Sequence, residues 1–369
     1  MRLVMVGCTA PSHMYPSLGV FRELLARGHE VSYVVGDQQA SLVPDGATHV
    51  GYHSALPDAD RAWTEDPGEA MQLFLDEEIT ALPRVLELDP PDAVLYDIGG
   101  YAGRVAAHRW SVPAIQLSPT YVAWEGYEED MAEFTATLKG SESGARYFAG
   151  VRSWLDENGM SIDADSFLGR PERCVVLIPR VLQPNADRVG PQFVFTGPCI
   201  DETRMTGWTP DGDGPLAYVA FGTAYTDNLE IYRACVEALT GYRVIIATGK
   251  VDPAELGVGA RTQPQLDVLA HADVFVTHAG MGSASESLWF GVPTVAIPQA
   301  VDQFTNAAQL EAAGAGVHLP AEQVTVESLR DAVARAVAQA PRARELQEEV
   351  RRSGGIAATA DTVERLVGV

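Results

Sequence analysis

Basic residues are scarce in this chain: 26 Lys and Arg stand against 50 Asp and Glu, a net charge of −24 at pH 7. Such a balance repels polynucleotides and anionic membranes, and no basic run offsets it, so nucleic-acid and membrane-inserting partners are excluded. Cysteine is also sparse. Cys8, Cys174, Cys199 and Cys235 are widely spread, show no metal-type pairing among themselves, and read as reduced, buried thiols. No segment has the apolar length of a membrane span, and the opening MRLVMVG is a strand rather than a leader, so a cytoplasmic protein is expected. There is no sequence repeat between the halves, and no glycine fingerprint follows the first strand. The strings Asp58-Ala59-Asp60, Asp163-Ala164-Asp165 and Asp211-Gly212-Asp213 are what so acidic a chain produces by chance, and none is read as a metal site.

With 369 residues, 46% of them hydrophobic, the chain can bury two cores. The rest is organised around one stretch, VFVTHAGMGSASESLWFGVPTVAIPQAVDQFTN, residues 274–306. Val274 to Thr277 has the short, β-branched character of a buried parallel strand. A turn Gly280-Met281-Gly282-Ser283 follows, then a helix expected to start near Ser283 and stopped by Gly291 and Pro293. A second strand, Thr294 to Ile297, completes a βαβ unit. The mouth of that helix is an anion site: its first N–H groups lack partners and its dipole places about half a positive charge there. Glycines admit a diphosphate to the backbone, and His278 adds a donor. Past the second strand, Asp302 and Gln303 emerge at the carboxyl edge with acceptors and donors for hydroxyl groups. Phosphate below and hydroxyls above indicate a nucleotide sugar. Gly280-x-Gly282 also fits a nicotinamide-dinucleotide fingerprint, but that motif belongs after a first strand.

The amino-terminal half opens as strand Arg2 to Gly7, a polar turn, a helix carrying Leu18, Phe21 and Leu25, and strand Glu30 to Val35. His13 falls in the loop feeding that helix, with Pro16 suited to its first turn. Ala93 to Tyr96 is a later strand, and Asp97 directly follows it, either as a functional acid at the sheet edge or as the N-cap of a helix over 100–110. Helices are expected over 66–88, 130–138 and 145–155. Loops and helices beyond the sheet edge are the natural wall of a small-molecule pocket, to which Phe74, Ser118, Tyr121, Trp124, Tyr127 and Phe148 are assigned, although core packing is the commoner fate of any one aromatic. Residues 199–214, rich in Gly, Pro and Asp, read as a linker between domains at 1–198 and 215–352. The second domain restarts the alternation with strand Leu216 to Phe221.

The string HAGMGSASESLWFGVPTVAIPQAVDQFTNA resembles the donor-binding signature of the family 1 glycosyltransferases, and YHSALPDAD, LSPTYVAWEGYEED and LIPRVLQPNADRV resemble stretches of the bacterial macrolide enzymes of the oleandomycin type. The resemblance implies an α/β protein of the GT-B fold, two Rossmann-like domains facing each other across a cleft, with a last helix in 353–369 returning to the first domain. It implies an inverting, metal-independent transfer of a hexose from a nucleotide sugar, UDP-glucose favoured and a TDP-sugar second, to a hydroxyl of a lipophilic natural product such as a macrolide, with antibiotic inactivation a fitting role. No further cofactor is implied, and the enzyme is expected as a monomer or homodimer. His13 and Asp97 match the family's catalytic pair in order and spacing. Gly222 and Thr223 match its second loop facing the diphosphate; Gln265, His278, Gly280, Gly282, Ser283, Glu286, Asp302 and Gln303 match its donor site, with Glu286 on the ribose. One departure is plain: Thr262-Gln263-Pro264-Gln265 lacks the tryptophan that many relatives stack on uracil. A GT-B sugar-nucleotide epimerase and a non-catalytic nucleotide-binding auxiliary are the alternatives.

Overall fold

A computed structural model describes residues 1–57, 64–222, 228–256 and 263–368. Thr223, Thr262, Asp58 and Asp60 lie outside the described residues. The chain divides into two compact units: 1–177 with 185–199 and 356–369, and 178–184 with 200–355.

In the first unit the chain runs β1 (Arg2–Val6), α1 (Pro11–Ala26), β2 (Glu30–Val34), β3 (Thr48–Val50), α2 (Pro67–Leu86), β4 (Ala93–Asp97), α3 (Ala102–Trp110) and β5 (Ala114–Ser118). It continues through α4 (Tyr127–Asp130), α5 (Ala132–Gly140), α6 (Glu142–Glu157), α7 (Ala164–Gly169), β6 (Cys174–Val176) and β7 (Phe193–Phe195). The strands form one parallel sheet in the order β3-β2-β1-β4-β5-β6-β7. Alternate residues of each strand feed opposite layers, as the two-residue period requires. Val4, Val6, Val94 and Tyr96 face α2, α3 and α6, where Leu75, Val105 and Val151 are buried. Leu3, Met5 and Leu95 face α1, where Leu18 and Phe21 are buried. After β1 the chain goes to one side, then crosses to β4 on the other, so the sheet's topological switch point lies between β1 and β4, where open α/β sheets place their ligands.

The second unit holds β8 (Leu216–Ala220), α8 (Leu229–Ala238), β9 (Arg243–Ala247), α9 (Gln265–Leu269), β10 (Val274–Thr277) and α10 (Met281–Phe290). Then come β11 (Thr294–Ala296), α11 (Gln303–Ala312), β12 (Gly316–His318), α12 (Val326–Ala338) and α13 (Ala340–Arg352). Its parallel sheet has the order β12-β11-β10-β8-β9, with the switch point between β8 and β10. The last helix, α14 (Gly355–Val367), packs Ala360 and Val363 into the α1 side of the first unit. Arg27 bridges to Asp361 and Glu364 at 2.7 Å each, and His29 Nε2 lies 2.7 Å from Glu364. All four cysteines are free and buried.

Two boundaries that bear on the site differ from the sequence expectation. Helix α1 begins at Pro11, so His13 sits in its first turn rather than in a preceding loop, and Pro16 lies inside the helix. Pro11 is suited to the first helical position, since its missing N–H would have no intrahelical partner there. Helix α10 begins at Met281, so Gly282 and Ser283 are already helical; Ala279 takes the left-handed turn at φ 60° and Gly280 is the extended N-cap.

Candidate active site

In the first unit the register pairs Val6 with Tyr96, so the segment after β1 and the end of β4 emerge side by side. His13 Nδ1 lies 2.8 Å from Asp97 Oδ1. Asp97 is buried, and the same oxygen accepts from the Gly99 backbone N–H at 2.7 Å. The roles of the ring nitrogens follow from the tautomer: with the proton on Nδ1, that nitrogen donates to the carboxylate and Nε2 carries the lone pair. The imidazole is part exposed, with 28% of its side-chain surface open. Asp97 is therefore not the N-cap of α3. That position belongs to Tyr101, and the Ala102 N–H at the helix start is met by Glu78 from α2.

Glu77 and Glu78 escaped the sequence reading. Both are wholly buried. Glu77 accepts from the Tyr52 hydroxyl at 2.7 Å, the Ser54 hydroxyl at 2.7 Å and the Ala55 N–H at 2.6 Å. Tyr52 in turn lies 3.1 Å from Thr9 Oγ1, which accepts from the Gly36 N–H, so the segment carrying His13 is tied to α2. Burial pushes the Glu78 carboxyl well above the usual range, against the pull of the Ala102 N–H. A signal was present: Glu78 falls three residues after Leu75 and four before Leu82, on the helix face that is otherwise apolar.

In the second unit Thr277 is level with Ala220 on one side and Ala296 on the other, so Gly222, His278 and the approach to Asp302 leave one sheet edge together. The His278 ring occupies a slot between two glycines: a β-carbon on Gly222 would stand 2.7 Å from Nε2, and one on Gly280 2.5 Å. Burial lowers the His278 pKa to about 4, with the Ala220 backbone pulling the other way, so the ring is neutral at pH 7. Its Nδ1 is buried and has no hydrogen-bond partner among the described residues. At the mouth of α10 no acidic side chain stands in the first turn and no side chain caps it, and a β-carbon on Gly282 would meet open space.

Gln265, at the start of α9, donates to Glu286 and, at 3.3 Å, to Ser283 Oγ, which gathers three of the expected donor residues. Burial raises the Glu286 pKa; the hydrogen bond from Gln265 and the charge of Arg204, 4.0 Å away, lower it. Arg204 escaped the sequence reading because it lies in the linker. That linker is fixed by Asp267, whose buried carboxylate accepts from the backbone of Thr206, Gly207 and Trp208 at 2.8–3.0 Å. Gln303 Oε1 accepts from the Gln299 and Ala300 N–H groups at 2.8 and 3.1 Å, so its side chain offers a ligand donors rather than acceptors. Asp302 Oδ2 accepts from Asn306 at 3.0 Å.

Of the residues assigned to the acceptor pocket, Phe74, Tyr121, Trp124 and Tyr127 are half-buried. Trp124 donates to Asp130 at 2.7 Å and meets Tyr127 edge to face at 4.9 Å. Phe148 is half-buried as well, and Ser118 is buried. The Ser118 hydroxyl is buried and donates to the Thr120 carbonyl, and Phe148 packs on the core beside Tyr147 with the Lys139 ammonium over its ring. Asp163 caps α7 by accepting from the Ser166 N–H.

The model of the erythromycin biosynthesis protein CIII-like C-terminal domain matches residues 250–363. The chain is 41% identical to oleandomycin glycosyltransferase of Streptomyces antibioticus, over 98% of this chain and 90% of that one. It is 30% identical to NDP-glycosyltransferase YjiC of Bacillus subtilis (strain 168), over 98% and 96%. The crystal structure of the glycotransferase of kitacinnamycin superposes with a TM-score of 0.91 at 39% identity, covering 99% of this chain and 98% of that one. Two Rossmann-like units so matched define a GT-B glycosyltransferase, an enzyme that transfers sugar. Within that class, the chain belongs to the family 1 glycosyltransferases, alongside the bacterial enzymes that act on natural products. Among the described residues no helix is long and apolar enough to cross a membrane.

Proposed function

We propose that the protein moves a hexose from a nucleoside-diphosphate sugar, UDP-glucose first and a TDP-sugar second, to a hydroxyl of a lipophilic natural product such as a macrolide, in the cytoplasm and with inversion at the anomeric carbon. The observation that carries this reading is the 2.8 Å contact between His13 Nδ1 and Asp97 Oδ1 at the switch point of the first sheet. His13 Nε2 takes the acceptor's proton as its oxygen bonds to the anomeric carbon, the bond from that carbon to the diphosphate oxygen breaks, and Asp97 stabilises the imidazolium. The departing diphosphate is met by N–H groups at the start of α10 and by the neutral His278 ring. Glu286, with Gln265 beside it, takes the ribose hydroxyls, and Asp302 and Gln303 take the sugar. Gly222 closes the phosphate side. Phe74, Tyr121, Trp124, Tyr127 and Phe148 supply apolar and edge-polar surface for the acceptor. These donors of hydrogen bonds give the leaving group its stabilisation without a metal ion. Support for the acceptor class comes from the 41% relative, which is named for oleandomycin.

The test is turnover of the pure protein with UDP-glucose and TDP-glucose against macrolide, flavonoid and phenolic acceptors under chelator, read by mass and by the anomeric configuration of the product. An acceptor that gains one hexose with inverted configuration supports the whole scheme. Retention of configuration, or a requirement for added metal, overturns the corresponding part. Donor binding with no acceptor gaining mass would point to an epimerase or an auxiliary protein, which the sugar recovered from the donor tells apart.

A further inference from the structure

Behind the His13–Asp97 pair lies a third potential ligand. Cys8 is the second residue past β1, it is buried, and its sulfur faces the pair: a β-carbon built on Gly99 would stand 3.2 Å from Cys8 Sγ and 3.3 Å from Asp97 Oδ1. One ligand atom each from Cys8, His13 and Asp97 lies within 4.8 Å of the other two, the one such group of His, Cys, Asp or Glu found among the described residues. We propose that Cys8, His13 and Asp97 form a site for a single thiophilic divalent cation of the Zn²⁺ or Cd²⁺ class, and that its occupation stops sugar transfer.

Sulfur, imidazole and carboxylate are the ligand types zinc selects, and three protein ligands with one position left for water is a common arrangement for it. Charge favours the ion as well. On binding, the Cys8 S–H bond is replaced by a sulfur–metal bond and the proton leaves to solvent. The thiolate and the Asp97 carboxylate then balance the dication, leaving a neutral cluster in a buried place. Mg²⁺, which prefers oxygen ligands and sheds water reluctantly, gains little from this set. The ion consumes the function of His13 whichever ring nitrogen it takes: at Nδ1 it displaces the proton shared with Asp97, which passes to Nε2 and removes the basic lone pair there, and at Nε2 it occupies that lone pair itself.

The effect on transfer rests on the reading of His13 given above; the binding does not, and the experiment separates the two. Cadmium is titrated into the full chain without donor and followed by its thiolate charge-transfer absorption, and zinc is titrated into the transfer assay with magnesium as control. The expected result is a saturable absorption that Cys8→Ser abolishes and Asp97→Asn weakens, with inhibition by zinc and none by magnesium. The half-inhibiting zinc concentration rises at least about tenfold in Cys8→Ser, in line with the loss of metal affinity seen when a site is altered. Cys8→Ala repeats the comparison if the serine disturbs the core. Absorption and inhibition unchanged in both variants overturn the site. Cadmium binding that depends on Cys8 in a protein that transfers no sugar leaves the site standing and removes the transferase reading instead.

Discussion

Gly222 stands where any side chain would strike His278, since a β-carbon there would come within 2.7 Å of Nε2. Gly222 also adopts φ 76°, a left-handed conformation, so Gly222→Ala combines strain with a clash. Gly280 has an ordinary backbone yet the same crowding, a β-carbon at 2.5 Å. Gly280→Ala therefore isolates the displacement of the ring. We expect both variants to fold and to bind UDP more weakly, Gly280→Ala by about tenfold for the loss of one well-placed hydrogen bond. Calorimetric titration with UDP checks this, and an unaltered affinity in Gly280→Ala would remove His278 from the phosphate site.

The lowered pKa of His278 makes a statement about stability. Its folded value is about 4 and its ordinary value 6.5, so between those limits the unfolded chain holds the proton and the folded chain does not. Stability from this group is complete above 6.5 and is lost as pH falls towards 4, by roughly 3 kcal/mol over the window. Denaturation free energies measured from pH 7 to pH 4 should decline less steeply in His278→Asn than in the parent. Parallel curves would mean that the ring is hydrated.

His13→Ala should lower kcat by ~10²- to 10⁴-fold, the usual contribution of a general base, with the KM for donor changed little. Asp97→Asn should cost less, because the amide oxygen can still orient Nδ1 but no longer offsets the charge of the imidazolium. Steady-state kinetics on both variants decides this. Full transfer by the His13→Ala protein would sink the assignment.

Glu77 accepts three hydrogen bonds in the interior, from Tyr52, Ser54 and Ala55. Glu77→Ala leaves buried donors without an acceptor and should destabilise the first unit by roughly 3 kcal/mol. Glu77→Gln keeps an acceptor and should cost less. Urea unfolding with a probe in the first unit gives the difference, and near-equal midpoints for Glu77→Ala and the parent would show that Tyr52 and Ser54 find other partners.

The βαβ unit over 274–306 was legible because its signals are local: a β-branched strand, glycines, a stop at Gly291 and Pro293. The order His13 then Asp97 was legible through family resemblance and the sheet edge. What the sequence did not disclose depends on partners far along the chain. Nothing near Glu78 announces that it meets the Ala102 N–H, and nothing near Asp267 announces that it holds residues 206–208. The start of α1 was misjudged because two prolines compete for the first turn; Pro11 takes that position, and Pro16 is tolerated inside the helix. The start of α10 was misjudged because Ser283 has the chemistry of a cap, whereas the left-handed turn at Ala279 lets Gly280 cap the helix first.

Helix α14 follows the whole second unit in the chain yet completes the core of the first, where Ala360 and Val363 sit beside Leu3, Met5 and Phe21. The second unit is thus an insertion, and during synthesis it emerges entire while the first still lacks its closing helix. The half that is begun first is completed last in the chain. A premature stop removing residues 356–369 would leave the second unit's sequence untouched and strip α14 from the unit that carries His13 and Asp97.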